Sequence, residues 1–119
     1  MKISIVTTSY NSGKTIEETI KSVLSQNYTD FEHIIIDGAS KDNTMEIVKK
    51  YENQYNGKLK YVSEHDTGIY DAMNKGIQIS TGDVVGLLNS DDTYSKDTVL
   101  FKIAEAFKNN DCDGVYADL

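Results

Sequence analysis

The stretch Val84-Val85-Gly86-Leu87-Leu88-Asn89-Ser90-Asp91-Asp92 decides how this chain is read. An unbroken run of apolar and small residues suits a strand covered on both faces. The run then turns polar and ends in two adjacent carboxylates, Asp91 and Asp92. A buried strand that ends in paired acids can hold a hard divalent cation. Mg²⁺ and Mn²⁺ take oxygen ligands, commonly one or two carboxylates, with substrate phosphates completing the shell. The same pair also suits a turn followed by a helix cap, because Asp is common in both roles. Two adjacent acids are a weak motif alone, so the other strand ends have to be read beside them.

Working outward, the same pattern repeats. Residues 2–8 are β-rich, with Ile3, Ile5 and Val6 apolar, and predict a strand that ends in Ser9-Tyr10-Asn11. A helix is expected over 14–26, with Ile16, Ile20, Val23 and Leu24 on one face. A second strand over 32–36 contains Ile34-Ile35-Ile36 and ends in Asp37-Gly38-Ala39-Ser40. Asn43 and Glu46 have the form of a capping box, opening a helix that runs to about residue 55 and buries Val48, Tyr51 and Tyr55. A third strand, 58–63, ends in Glu64-His65-Asp66, and His65 reads as an exposed loop residue. The helix over 69–80 is expected to bury Ile69, Ala72, Met73 and Ile77, while Asn74 and Gly76 suit either helix packing or ligand contact. After the 84–88 strand, a helix over 96–108 is expected, with Ser95 as cap and Leu100, Ile103, Ala104 and Phe107 as its stripe. Residues 114–118 read as the start of a fifth strand.

Strict strand–helix alternation predicts an α/β fold: three layers, doubly wound around a mostly parallel sheet. In such sheets ligands bind outside the carboxyl ends of the strands. Those ends carry Ser9-Tyr10-Asn11, Asp37, Glu64-His65-Asp66, Asn89-Ser90-Asp91-Asp92 and Asp118. Acids and hydrogen-bonding groups therefore gather on one edge. An acidic rim takes a phosphorylated ligand only through a cation, since the rim alone repels it.

Composition narrows the function. At 119 residues, 39% hydrophobic and 26% charged, the chain is expected to form one domain over 1–119. A net charge of −7 without a single Arg argues against nucleic acid. One cysteine, Cys112, excludes an internal disulfide and fits a reducing, cytoplasmic setting. The run Ile3-Ser4-Ile5-Val6 is too short for a signal peptide or a membrane span. Gly13-Lys14-Thr15 imitates the end of a phosphate-binding P-loop, but that motif needs a glycine five residues before Gly13, where this chain has Thr8. A signalling phospho-acceptor would want its acidic pair after the first strand, where Ser9 and Tyr10 stand.

Four segments together resemble the nucleotide-binding half of a family 2 glycosyltransferase of the GT-A fold. They are Val6-Thr7-Thr8-Ser9-Tyr10-Asn11; Ile36-Asp37-Gly38-Ala39-Ser40 with Asp42 and Thr44; Asp66-Thr67-Gly68-Ile69-Tyr70-Asp71-Ala72-Met73-Asn74-Lys75-Gly76; and Gly86-Leu87-Leu88-Asn89-Ser90-Asp91-Asp92. The resemblance covers essentially the whole chain. The third segment looks most like members that build bacterial cell-surface polysaccharides.

The resemblance implies inverting transfer of a sugar from a nucleoside diphosphate donor, with uridine as the expected base. It implies a saccharide or lipid-linked acceptor and work at the inner face of the cytoplasmic membrane. Thr8, Tyr10 and Asn11 would line the nucleotide pocket, Tyr10 against the base, and Asp37 would hydrogen-bond that base. Asp66, Asn74, Lys75 and Asp91 would complete the donor site, and Asp91 and Asp92 would hold Mn²⁺ or Mg²⁺. Two positions depart from the family pattern. Asn89 stands where the Asp-x-Asp motif begins, and Met73 stands where many members have Arg, so one phosphate or base contact is expected either to be missing or to be replaced by Lys75. The family's base lies in a following half, so a chain cut short at the C-terminus is expected to bind donor without transferring sugar. A non-catalytic nucleotide-sugar binding module is the alternative. An unpaired final strand carrying Val115 and Tyr116 would invite self-association.

Overall fold

The computed structural model describes residues 1–110; the expected fifth strand, with Val115, Tyr116 and Asp118, lies outside them. The elements run β1 (Ile3–Ser9), α1 (Ile16–Leu24), β2 (Phe31–Asp37), α2 (Thr44–Tyr51), a 3-10 turn (Glu52–Tyr55), β3 (Leu59–Ser63), α3 (Ile69–Ile79), β4 (Val84–Leu87) and α4 (Val99–Asn110). The described sheet is parallel, in the order β3-β2-β1-β4. Strand order therefore grows in one direction through β1, β2 and β3, and reverses to place β4 on the far side of β1. This is the doubly wound α/β class expected from the alternation.

Side-chain alternation along the strands builds two cores. On one face Ile3 and Ile5 of β1 and Phe31 and Ile35 of β2 pack with Ile16, Ile20 and Val23 of α1, Val48 and Tyr51 of α2, and Leu100 of α4. On the other face Val6, Ile34 and Ile36 pack with Ala72 of α3. Every residue of β2 is buried, as a central strand covered on both faces requires.

Helix α3 corrects one expectation. Ile69 and Ile77 are 52% and 45% exposed, and Ala72 and Gly76 are the residues that face the sheet. The reason is proximity. A methyl group on Gly76 would sit 2.4 Å from Val6 Cγ1, so the helix lies against β1 closely enough to admit only small residues. Two caps are corrected as well. Asn43 makes no side-chain cap bond; Asp42 Oδ1 instead accepts from the Thr44 N–H and hydroxyl. Helix α4 begins at Val99, past the reach of Ser95, because the chain before it is engaged along α1.

Candidate active site

Strand order reverses between β1 and β4, and sheets of this class bind ligands outside the carboxyl ends of the strands at such a point. A cleft of about 570 Å³ opens there. Thr8, Ser9, Tyr10 and Ser12 form its β1 side; Asn89, Ser90 and Asp91 form its β4 side. Asp66, Gly68, Ile69 and Ala72 close it from the start of α3.

Each wall has a local cause. Tyr10 leaves the buried strand and is 62% exposed, presenting an aromatic ring beside polar groups. Gly68 has φ of 136°, a conformation that side chains disfavour, and it turns the chain into α3. Asp66 Oδ1 accepts the Gly68 N–H at 3.2 Å, and Asp71 accepts the Thr67 N–H at 3.1 Å. That Thr67 bond, with Lys75 adding its charge, holds the Asp71 carboxyl below its usual range despite desolvation.

The β1 and β2 ends are tied to each other. Asn11, with φ of 48°, donates its backbone N–H to Ser40 Oγ at 2.7 Å and accepts the Lys41 N–H at 2.9 Å. Asp37 is fully buried and accepts four bonds: from the Ser9, Ser40 and Ser63 hydroxyls and from the Ser40 N–H. Its carboxylate fixes three loop beginnings at one point. The Gly13 N–H is taken by Asp42 Oδ2 at 2.9 Å, so the P-loop imitation offers no free donor there.

The expected site residues thus fall into two groups. Thr8, Tyr10, Asp66 and Asp91 line the cleft. Asn11 and Asp37 stand behind it, holding the loops, and Asp92 follows Asp91 with its side chain half-buried. Asn74 is exposed on α3. Lys75 Nζ lies 3.2 Å from Glu64 and 3.5 Å from Asp71. Desolvation opposes the Lys75 charge, but the two carboxylates outweigh it and raise its pKa. Ser12, Ser90 and Gly68 also line the cleft, though none is singled out as a site residue from the sequence. Ser12 and Ser90 lie far apart in the chain, and only the pairing of β1 with β4 brings them together.

Among the described residues, no three His, Cys, Asp or Glu side chains converge to cage a metal. The donor set at the β4 end is Asp91, Asp92 and the neutral Asn89. That set fits a cation that takes one or two carboxylates and draws the rest of its shell from phosphate and water, as Mg²⁺ and Mn²⁺ do.

Residues 4–119 match the family model described as Glycosyl transferase family 2. The chain belongs to that family. An uncharacterized glycosyltransferase of Nostoc sp. is 35% identical over 115 residues, covering 97% of this chain and 35% of that protein. The poly(ribitol-phosphate) β-N-acetylglucosaminyltransferase TarS of Staphylococcus aureus is 35% identical over 109 residues, covering 90% of this chain and 19% of its own length. The structure of TarS residues 1–349 in complex with UDP-GlcNAc superposes with a TM-score of 0.86 at 30% identity, over 93% of this chain and 32% of that one. The chain therefore spans about a third or less of the length of these glycosyltransferases, and the region it spans has the GT-A architecture.

Proposed function

We propose that this chain carries the donor and metal site of an inverting glycosyltransferase that uses a UDP-sugar. The observation that carries the reading is the cleft itself: an exposed tyrosine, a threonine and two carboxylates meet where strand order reverses. The likeness to a relative solved with UDP-GlcNAc supports uridine as the base. In this reading the Tyr10 ring stacks on the base. Thr8 and Asp66 hydrogen-bond the nucleoside, and Asp91 faces the diphosphate. Asn11 and Asp37 hold the two loops that frame the base; for Asp37 to meet the base directly, one of its serine donors must yield. Lys75 and Asn74 lie along α3, where Lys75 could reach the donor only by leaving Glu64 and Asp71.

A divalent cation held by Asp91 and Asp92 would neutralise charge on the departing diphosphate. An acceptor hydroxyl attacks the anomeric carbon from the face opposite the diphosphate, and a carboxylate takes its proton. The bond to the diphosphate oxygen breaks with its electron pair. We assign that base to none of the described residues. The acceptor is read as a saccharide or lipid-linked glycan in polysaccharide assembly, with the whole protein at the inner face of the membrane. Among the described residues no helix is long and apolar enough to cross a membrane.

Calorimetric titration with UDP-GlcNAc in Mn²⁺ tests the donor assignment. Saturable binding that Tyr10→Ala and Asp66→Asn each weaken is expected. Binding that neither substitution alters would place the donor elsewhere.

A further inference from the structure

Helix α1 carries polar side chains on the face it turns toward the segment between β4 and α4. Thr19 is fully buried, and its hydroxyl donates to the backbone carbonyl of Asp92 at 2.6 Å and lies 3.0 Å from that of Ser90. One turn on, Ser22 Oγ accepts the Tyr94 N–H at 3.1 Å. Just past the end of α1, Gln26 donates to the Lys96 carbonyl at 2.8 Å and accepts the Leu100 N–H at 3.1 Å. The partners 90, 92, 94 and 96 are alternate residues, while Thr19 and Ser22 lie a turn apart on α1 and Gln26 follows just beyond its end. The irregular chain that carries Asp91 is thereby laid along α1 in a fixed register.

We infer that Thr19 is a positioning residue for the acidic turn, setting the backbone that presents Asp91 and Asp92 to the donor's diphosphate and its cation. This rests on the donor-site reading above. The physical argument is economy of anchors. The turn has one internal backbone bond, Asp92 N–H to the Asn89 carbonyl at 3.0 Å, and the Asp91 side chain is exposed. The Thr19 hydroxyl lies within hydrogen-bond reach of the carbonyls of Ser90 and Asp92, the residues on either side of Asp91, so one side chain holds the backbone before and after the carboxylate. Ser22 and Gln26 continue the register but touch residues further from the cleft. A threonine among the apolar residues of α1 otherwise weakens the stripe, since a buried hydroxyl costs free energy unless it is bonded.

The test uses Thr19→Val, which keeps shape and removes the donor, and Thr19→Ser, which keeps the donor. Two measurements are made: amide hydrogen exchange over 89–96 without ligand, and Mn²⁺-dependent UDP affinity. Thr19→Val is expected to speed exchange at the acidic turn while leaving β1 and β2 protected. It is expected to weaken the Mn²⁺-dependent affinity about 10–100-fold, as loss of a group that orients a ligating side chain does. Thr19→Ser should restore both. If Thr19→Val leaves exchange at the turn unchanged, the inference is wrong whatever the nucleotide does. If exchange rises and the wild-type protein binds UDP, but the variant binds it equally well, the turn is anchored without serving the site, and the inference is again overturned. If the wild-type protein itself fails to bind UDP in Mn²⁺, the donor-site reading falls, and the proposed service to a diphosphate falls with it. Ser22→Ala, which unties Tyr94 and removes the bond from Ser22 to the Thr19 carbonyl but leaves the acidic turn's own contacts to Thr19 in place, is expected to lower affinity less than Thr19→Val; an equal or larger loss would assign the role to the whole ladder and overturn the assignment to Thr19.

Discussion

The hydroxyls of Ser12 and Ser90 meet at 2.7 Å, joining the loop after β1 to the turn after β4. These two residues are 78 positions apart in the chain, and both line the cleft. One side-chain bond thus ties together two of the segments that wall the cleft. Several consequences can be measured.

Gly76→Ala should destabilise the fold. The added methyl meets Val6 Cγ1 at 2.4 Å, and overpacking of this kind costs about 1–3 kcal/mol. The gain in helix propensity, about 1 kcal/mol, offsets part of that. Urea unfolding measures the loss, and Val6→Ala in the same chain should recover some of it by clearing the space. An unchanged midpoint in Gly76→Ala would mean that α3 does not pack this closely on β1.

Acid should lower the protein's stability in two stages. His33 is fully buried on β2, with Nε2 2.7 Å from Thr7 Oγ1 and Nδ1 2.8 Å from the Tyr55 hydroxyl. Desolvation lowers its pKa from 6.5 to about 3. The unfolded chain thus binds a proton that the folded one refuses between these values, and stability falls as pH drops below 6.5. One such proton removes at most about 1.4 kcal/mol per pH unit.

Glu32 adds the second stage. It is 3% exposed, and desolvation favours its neutral form, but bonds from Lys60, Ser4 and Thr81 prevail and bring its pKa from 4.5 to about 2. Its contribution is complete above 4.5 and is lost as pH falls toward 2. Urea midpoints across pH should fall gently below 6.5 and more steeply below 4.5, and His33→Gln should remove the upper stage alone. A midpoint flat from pH 7 to 5 in the wild-type protein would contradict the neutral, buried His33.

Asp91→Asn and Asp92→Asn should each weaken Mn²⁺-dependent nucleotide binding, Asp91 more strongly because its side chain lines the cleft. Neither should shift unfolding by more than about 0.5 kcal/mol, as for ordinary surface substitutions. Thermal unfolding and calorimetry on the same samples separate the two effects. Collapse of the fold in either variant would make the acids structural.

Much of this architecture was legible in the chain. The isoleucine run of β2 and the strict alternation announced a buried parallel sheet, and the strand ends announced the edge where the cleft opens. Thr8, Tyr10, Asp66 and Asp91 then met in one cleft because parallel strands deliver all their carboxyl ends to one edge. What escaped the reading depended on distances between elements. The exposure of Ile69 and Ile77 follows from the closeness of α3 to Val6, which periodicity cannot report, since a helix with apolar residues on two faces satisfies the same spacing. Asp42 took the capping role expected of Asn43 because its carboxylate also reaches the Gly13 N–H across the loop. Helix α4 starts late because Gln26 engages both Lys96 and Leu100. Apart from the Asp42 bonds to Thr44, these are contacts between segments far apart in sequence, invisible to a local window.

The measurement that bears most directly on the donor and metal assignment is the melting temperature of the protein titrated with UDP in Mn²⁺ and, in parallel, in excess chelator. Binding to the folded state alone stabilises it by mass action, about 2.7 kcal/mol at a hundredfold excess over Kd. The account predicts a melting temperature that climbs with UDP in Mn²⁺, barely moves in chelator, and climbs less in Tyr10→Ala. A rise of equal size in Mn²⁺ and in chelator would contradict the metal assignment, and no rise at millimolar UDP in either would contradict the donor site itself.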